Sequence, residues 1–194
     1  MLKRGFDIIM SALGMYFLSP LLLLISLLII LNSGFPIFYF QERIGKGGHA
    51  FKLIKFRTMR TNSKGLQITL DKDPRITGVG NFLRKYKLDE LPQLLNIFLG
   101  QMSFVGPRPE VRKYVELYTT EEKKIVSIKP GLTGLDSLNY SQESALLKST
   151  SNPELTYITK ILPEKIKLNL MYLEKRSFGY DISIIIATIK KIFS

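Results

Sequence analysis

The sequence contains no cysteine and only one histidine. The missing cysteine excludes a disulfide framework, a thiolate zinc site and a cysteine nucleophile. The single histidine, His49, lies in a glycine-rich stretch typical of a turn, where a solvated side chain is the expected state. A Ser-His-Asp triad would depend on this residue, which makes such a triad an unattractive hypothesis. Any metal site must use oxygen ligands, which suit magnesium or manganese better than zinc.

Charge is missing from residues 8–31, close to the start of the chain. A run of about 20 apolar residues is long enough to cross a bilayer as a helix. Ser19 and Pro20 lie near the middle of the run, and a proline inside a helix removes one backbone hydrogen bond. In lipid the freed carbonyl needs another partner, and a nearby serine hydroxyl is suitable. The segment is therefore either a kinked spanning anchor or a helix–break–helix that enters and leaves on one face.

The flanking charges favour the re-entrant alternative. Lys3 and Arg4 precede the apolar run, and every other Lys and Arg follows it. Because cytoplasmic flanks collect Lys and Arg, a re-entrant hairpin would keep both flanks on the cytoplasmic side. We therefore predict a membrane hairpin over residues 1–34, with re-entry at Ser19 and Pro20. One membrane-associated domain is predicted over residues 35–194.

Negative charge is scarce, with 16 Asp and Glu against 28 Lys and Arg, which gives a net charge of +12. Such a charge suits anionic lipid headgroups, nucleic acid or a phosphorylated substrate. The apolar run favours lipid and phosphate. Because the basic residues are scattered and match no known nucleic-acid reader motif, we expect no nucleic-acid partner.

The residue pattern predicts an α+β fold that is mostly helical. Two β-prone runs around Gly45–Gly48 predict a small β-hairpin within residues 36–59. The tail from Asp181 to Phe193 is a candidate basic amphipathic helix, which either packs on the domain or lies at the membrane interface. Loops are expected at residues 60–79, 129–134 and 149–153.

The acidic pair Asp89 and Glu90 is the strongest candidate for chemistry. Pro92 is tolerated in the first turn of a helix, so a helix is predicted to begin near Leu91 and continue through Leu99. The acidic pair then lies at the N-terminal end of this helix, where free amides keep a carboxylate ionised. One acid can act as a nucleophile while the other holds a metal. The alternative is structural, with Asp89 as a helix cap and Glu90 as a dipole partner.

Basic residues in two other segments are candidates for phosphate contacts. Pro107 and Pro109 flank Arg108 and limit where its guanidinium can point. Arginine suits bidentate phosphate contacts, but a rigid turn with an internal partner is an equal alternative. Lys55 and Arg57 are predicted to share one face of a strand, where a solvated basic face is the alternative.

Taken in order, these segments resemble the bacterial sugar transferase family of monotopic phosphoglycosyl transferases, over nearly the whole chain. Each motif is weak separately, but their order is specific. The motifs are the Ser-Pro in the apolar helix, Gln41-Glu-Arg43, Lys55-Phe-Arg-Thr-Met59, Leu88-Asp-Glu-Leu-Pro-Gln-Leu94, Val105-Gly-Pro-Arg-Pro109 and Lys129-Pro-Gly-Leu-Thr-Gly134.

The resemblance implies transfer of a sugar-1-phosphate from a UDP-sugar to polyprenyl phosphate, with release of UMP, at the cytoplasmic face of the bacterial inner membrane. It assigns Asp89 as the nucleophile that forms a phosphosugar–aspartyl intermediate, Glu90 as the assisting acid, and magnesium, held by both, as cofactor. The partners are the donor, the lipid acceptor and membrane lipids. Substrate contacts are predicted for Arg43, Lys55, Arg57, Pro107, Arg108 and Thr133.

One stretch departs from the family pattern. Where many relatives carry a run ending in Asn-Gly-Arg, this chain reads Leu135-Asp-Ser-Leu-Asn-Tyr-Ser-Gln-Glu143. The identity of the sugar, the pathway, the oligomeric state and the role of Asp136 stay open. A non-catalytic, basic membrane-anchored scaffold is the alternative function, in which the acidic pair only caps a helix.

Overall fold

A computed structural model describes residues 2–60, 73–148 and 150–193. Within these ranges the protein is mostly helical with two small two-stranded sheets, which confirms the predicted class. The helices are α1 (Leu2–Ser33), α2 (Gly78–Lys85), α3 (Gln93–Phe98), α4 (Arg112–Val115), α5 (Leu135–Asn139), α6 (Glu143–Lys148), α7 (Pro153–Thr156), α8 (Leu162–Lys175) and α9 (Phe178–Phe193). The strands are β1 (Phe38–Ile44), β2 (Ala50–Phe56), β3 (Ser103–Val105) and β4 (Gly131–Thr133). Short 3₁₀ turns occupy Lys46–Gly48, Leu88–Glu90 and Glu122–Ser127, and Tyr157–Ile161 is π-helical.

The long apolar helix α1 continues through Pro20. The hydroxyl of Ser19 donates a 2.7 Å hydrogen bond to the carbonyl of Tyr16, which is the carbonyl that the missing N–H of Pro20 leaves unpaired. The expected serine contact is therefore present, but the expected interruption of the helix is not. Of the described helices, α1 is long and apolar enough to cross a membrane, with a window of mean hydropathy 2.4. Its topology in lipid stays a prediction.

The described residues form two compact units. The first contains residues 2–42, 52–60 and 73–100, and the second contains residues 43–51, 101–148 and 150–193. The predicted hairpin is present, because β1 pairs with β2 around the glycine-rich turn. The predicted membrane boundary at residue 34 concerns contact with lipid and stays a prediction.

In the first unit, α1 is held at both halves. Its C-terminal half contributes Ile25 and Ile29 to a core that includes Phe56 and Leu83. Its N-terminal half packs on α3, where Arg4 donates to the carbonyls of Ile97 (2.7 Å) and Phe98 (2.8 Å). These carbonyls end α3, so the guanidinium meets the negative end of that helix. The apolar helix is thereby tied to the segment that carries the acidic pair.

In the second unit, β3 and β4 form a parallel pair with Ser103 opposite Gly131 and Val105 opposite Thr133. The sequence did not predict this pair, and the expected loop at residues 129–134 is wrong where β4 runs. Both strands have only three residues, too few to show the alternation by which strands are recognised.

The C-terminal helix α9 packs within the second unit. Ile184 lies in a core with Val105 and Tyr172. Packing on the domain, one of the two predicted alternatives, is therefore observed, while Ile186 and Ile189 on another part of the helix surface remain about half exposed. The prediction of a loop over residues 60–79 falls largely outside the described residues, as does position 149 in the loop predicted after α6.

Candidate active site

The acidic pair lies where the chain turns from α2 into α3. Leu88–Glu90 form one 3₁₀ turn, Leu91 and Pro92 follow it, and α3 begins at Gln93. Lys87 precedes the turn in the left-handed conformation, with φ 57°, which is uncommon for a residue with a side chain. Asp89 and Glu90 are 6% and 8% exposed. The prediction that the pair lies just before a helix is confirmed, with the helix starting two residues later than Leu91.

Lys55 joins the acidic pair from strand β2. Its Nζ lies 2.9 Å from Oε1 of Glu90, and both side chains are largely buried. The strand itself is held to α3 because Asn96 accepts from the Ile54 N–H at 3.0 Å and donates to the carbonyl of Lys52 at 2.8 Å. The solvated alternative for Lys55 is therefore wrong, since the side chain pairs with a carboxylate.

Burial raises the pKa of Asp89 above its ordinary value. The positive charges of Lys55 and Arg84 oppose this shift, and the negative charge of Glu90 adds to it. The loss of water on burial therefore outweighs the nearby positive charges at this carboxylate. Asp89 is thus a carboxylate whose ionisation depends on nearby cations.

Arg57 lies two residues after Lys55 and turns to a different partner. Its guanidinium donates to backbone carbonyls at the C-terminal end of α1, those of Ser33 (2.9 Å), Gly34 and Phe35 (3.3 Å). It also donates to the Ser33 hydroxyl at 2.8 Å, and the residue is 5% exposed. The guanidinium predicted to contact substrate is therefore engaged with the end of the apolar helix.

Three further predicted substrate contacts lie in the second unit, where Pro107 and Arg108 follow strand β3 and Thr133 ends strand β4. The backbone N–H of Gly106 donates to the carbonyl of Thr133 at 3.0 Å, and that of Gly131 donates to the carbonyl of Pro107 at 2.9 Å. A Cβ added at Gly131 would lie 2.2 Å from the Gly106 nitrogen. Only glycine allows this approach, so Pro107, Arg108 and Thr133 belong to one packed structure.

Asp136 holds the Arg108 loop from one side. It is fully buried, and its Oδ2 accepts from the Arg108 N–H and from Asn169 Nδ2, both at 3.1 Å. Its Oδ1 accepts from the Ser137 N–H at 2.7 Å. The sequence left the role of Asp136 open, because the distant donor on α8 has no signature in local sequence.

A charged cluster holds the same loop from another side. Arg43 donates to the carbonyl of Pro109 at 3.0 Å, and Glu110 pairs with Lys165 at 2.9 Å. Tyr157 donates to the same carboxylate at 2.7 Å. Although burial acts to raise the pKa of Glu110, Lys165 and Arg43 hold it below its ordinary value. Sequence reasoning missed Glu110, Tyr157 and Lys165. The one available signal was the position of Glu110 directly after the Pro-Arg-Pro segment.

The predicted residues therefore divide between the two units. Lys55, Asp89 and Glu90 meet in the first, while Arg43, Pro107, Arg108 and Thr133 belong to the second. Among the described residues, no group of three or more His, Cys, Asp and Glu side chains could hold a metal. Two adjacent carboxylates still fit magnesium, which is commonly bound by one or two carboxylates together with water and substrate phosphates.

Comparison with known proteins assigns the chain to a family. The whole chain, residues 1–194, matches the family described as bacterial sugar transferase. The chain is 36% identical to the exopolysaccharide production protein ExoY of Rhizobium meliloti (strain 1021), over 97% of this chain and 84% of that protein. The chain therefore belongs to the bacterial sugar transferase family, a family of transferases.

Two further relatives are named for their reactions. The chain is 35% identical to the UDP-glucose:undecaprenyl-phosphate glucose-1-phosphate transferase of Escherichia coli (strain K12), covering 100% of this chain and 40% of the relative. It is 34% identical to the UDP-N-acetylgalactosamine-undecaprenyl-phosphate N-acetylgalactosaminephosphotransferase of Aeromonas hydrophila, covering 100% of this chain and 44% of the relative. The chain thus spans less than half the length of these two proteins.

Proposed function

We propose that this protein is a phosphoglycosyl transferase that moves a sugar-1-phosphate from a UDP-sugar to polyprenyl phosphate at the cytoplasmic face of the bacterial inner membrane. The reaction would be the first membrane step in building a bacterial glycoconjugate. The observation that carries the proposal is the buried Asp89 and Glu90 pair with Lys55, in a unit that also contains the long apolar helix. The names of the E. coli and Aeromonas relatives support both substrate classes.

In the proposed reaction Asp89 is the nucleophile. A carboxylate oxygen of Asp89 attacks the phosphorus that bears the sugar, the bond from this phosphorus to the bridging oxygen breaks, and UMP leaves with that oxygen. An oxygen of polyprenyl phosphate then attacks the aspartyl phosphate, which releases the Asp89 carboxylate and yields the diphosphate-linked sugar. Burial supports this role, because a poorly solvated carboxylate is a stronger nucleophile than a hydrated one.

Other residues would neutralise and position the charged groups. In the first unit, Lys55 would neutralise phosphate charge, since phosphoryl transfer depends mainly on positioning and charge neutralisation. The predicted phosphate contact of Arg108, in the second unit, stays a separate prediction. Pro107 and Thr133 would shape the substrate loop, and Arg43 would support it through the carbonyl of Pro109. Glu90 would assist either a metal or deprotonation of the acceptor. Mg²⁺ held by Asp89 and Glu90 would supply positive charge for the diphosphate.

Intact-protein mass spectrometry tests the proposal. The detergent-solubilised protein is mixed with Mg²⁺ and a panel that includes UDP-glucose and UDP-N-acetylgalactosamine, without acceptor. We expect a mass increase of one phosphosugar in the wild type and none in Asp89→Asn. If a broad nucleotide panel gives no adduct, and no UMP appears when polyprenyl phosphate is added, the scaffold alternative is the correct one.

We further propose that α1, although continuous through Pro20, bends at Ser19 and Pro20 in lipid and is re-entrant. The basic residues on both flanks support this topology. Single cysteines at position 2 and after Ser194 should react only with a membrane-impermeant reagent supplied from the cytoplasmic side. Labelling of position 2 from outside would establish a spanning helix. Replacing Pro20 with Leu should straighten α1 and lower transfer to the acceptor.

A further inference from the structure

The guanidinium of Arg57 joins the strand that carries Lys55 to the end of the apolar helix. Its contacts are three successive backbone carbonyls and one hydroxyl at the C-terminal end of α1, from Ser33 to Phe35. Carbonyls at this end have no partner within the helix and carry the negative end of its dipole. A planar guanidinium with several fixed donors suits such a set of acceptors better than a lysine ammonium does.

The same strand holds the acidic pair by separate contacts. Lys55 pairs with Glu90, and the Ile54 N–H is bound by Asn96 of α3. Beyond Arg57, the carbonyl of Thr58 accepts from the Thr77 N–H at 3.0 Å, and the Thr58 hydroxyl accepts from Arg84 Nε at 2.8 Å. A short stretch of β2 and the residues after it thus connects α1, α2 and α3. Among these hydrogen bonds, those of Arg57 are made to the end of α1, beside the packing of Phe56 with Ile25 and Ile29.

We propose that Arg57 is a positioning residue that sets the height of the Asp89, Glu90 and Lys55 group relative to the membrane helix. The inference rests on the proposed function. A UDP-sugar reaches the site from water at any height, whereas the phosphate of a lipid acceptor lies at the depth of the headgroups. Loss of the Arg57 contact should therefore impair the step that uses the lipid more than the step that uses the donor.

The experiment separates the two half-reactions in Arg57→Gln and in the conservative variant Arg57→Lys. Protein in vesicles is first given donor alone, and formation of the adduct is timed. Polyprenyl phosphate is then added to the same vesicles, and the loss of the adduct is timed. We expect adduct formation within about threefold of wild type and discharge slowed at least about tenfold in Arg57→Gln, with partial rescue in Arg57→Lys.

Two variants provide matched controls. Ser33→Ala removes one acceptor of the guanidinium but leaves its charge, so it should slow discharge in the same sense and by less. Lys52→Gln changes an exposed lysine on the same strand and should leave both half-reactions unchanged. If Arg57 instead contacted donor phosphate, Arg57→Gln would raise the donor KM and slow adduct formation, and Ser33→Ala would have no effect. That result would overturn the inference.

A depth measurement tests the inference without catalysis. Because the chain has no cysteine, a single fluorophore can be placed at Tyr39→Cys on β1, where the side chain is 51% exposed. Quenching by lipids brominated at different depths should shift in Arg57→Gln and not in Lys52→Gln. An unchanged profile overturns the inference. A different outcome is that the unlabelled wild type forms no adduct while the labelled Arg57→Gln protein still shows a shifted quenching profile. That pair of results would overturn the proposed function and leave the positioning role supported.

Discussion

Two buried carboxylates in this protein, Asp89 and Glu110, have opposite electrostatic surroundings. They are almost equally hidden, at 6% and 7% exposed. Glu110 bonds Lys165 and Tyr157, and cations hold its pKa below the ordinary value. Asp89 has cations nearby, but burial prevails and its pKa is raised. Positive charges thus outweigh burial at Glu110, whereas burial outweighs the positive charges at Asp89.

This difference separates a structural role from a chemical one. A fully paired carboxylate is stable because its charge is satisfied, and the same pairing makes it a poor nucleophile. A carboxylate that lacks full compensation is costly to the fold, and strongly perturbed acids of this kind concentrate at functional sites. We therefore expect substitution of Asp89 to affect catalysis and substitution of Glu110 to affect stability.

The largest expected effect is the loss of transfer in Asp89→Asn. An amide cannot form the aspartyl phosphate, so transfer should fall by at least about 10³-fold. Because the folded-state pKa of Asp89 is raised, its ionised form disfavours folding as pH rises from the unfolded value of 3.8 through the folded value. The variant should therefore melt at the same or a higher temperature at pH 7. Scintillation counting of lipid product and thermal unfolding in detergent measure the two quantities, and clear destabilisation would contradict the comparison.

The next largest effect is expected for Glu110→Gln. Removing Glu110 leaves Lys165 with the partly exposed Glu143 at 3.1 Å as its remaining carboxylate partner. The cost should therefore lie below the roughly 3–5 kcal/mol of a fully broken buried ion pair. The folded-state pKa of Glu110 is depressed, so its contribution to stability is present above the unfolded value of 4.5 and is lost as pH falls below it. Thermal unfolding at pH 7 measures the loss. The double variant with Lys165→Met should recover part of it, and strictly additive losses would contradict the pairing.

A smaller effect is expected for Arg84→Gln. Arg84 is one of the cations that oppose the raised pKa of Asp89, so its removal should raise that pKa further. A smaller fraction of Asp89 is then ionised at a given acidic pH. In a plot of the rate of adduct formation against pH, the acid limb should therefore move to higher pH. Lys124→Gln is the control, because it removes the same charge from an exposed side chain paired with Glu121. An acid limb that moves equally in both variants would show a general effect of net charge.

Much of the local structure around the candidate site was predictable because it depends on neighbouring residues. The apolar run, the β-hairpin, the proline that restarts a helix and the acidic pair before it each follow from neighbouring residues. The sequence left open a kinked continuous helix and a helix–break–helix for α1, and the flanking charges favoured the second. The structure has a continuous helix, in which the Ser19 hydroxyl bonds the carbonyl that Pro20 leaves unpaired.

The unpredicted features depend on contacts between distant residues. Strands β3 and β4 pair across more than twenty intervening residues and carry no alternation. The partners of Glu110 lie on helical segments far along the chain, at Tyr157 and Lys165. Arg57 was predicted to contact substrate from its charge and its motif. Most of its observed acceptors are backbone carbonyls, which have no sequence signature.

The smallest of these effects is expected at Asp136, in the stretch where this chain departs from its family pattern. Asp136→Ala leaves the Arg108 N–H and the Asn169 amide without their buried acceptor, which should cost about 1–3 kcal/mol. Asp136→Asn keeps one carbonyl oxygen and should cost less. Because the contact is to the backbone of Arg108, loosening it should raise the donor KM more than it lowers kcat. Steady-state kinetics over a range of UDP-sugar concentrations measures this split, and a fall in kcat alone would assign Asp136 to folding rather than to the donor loop.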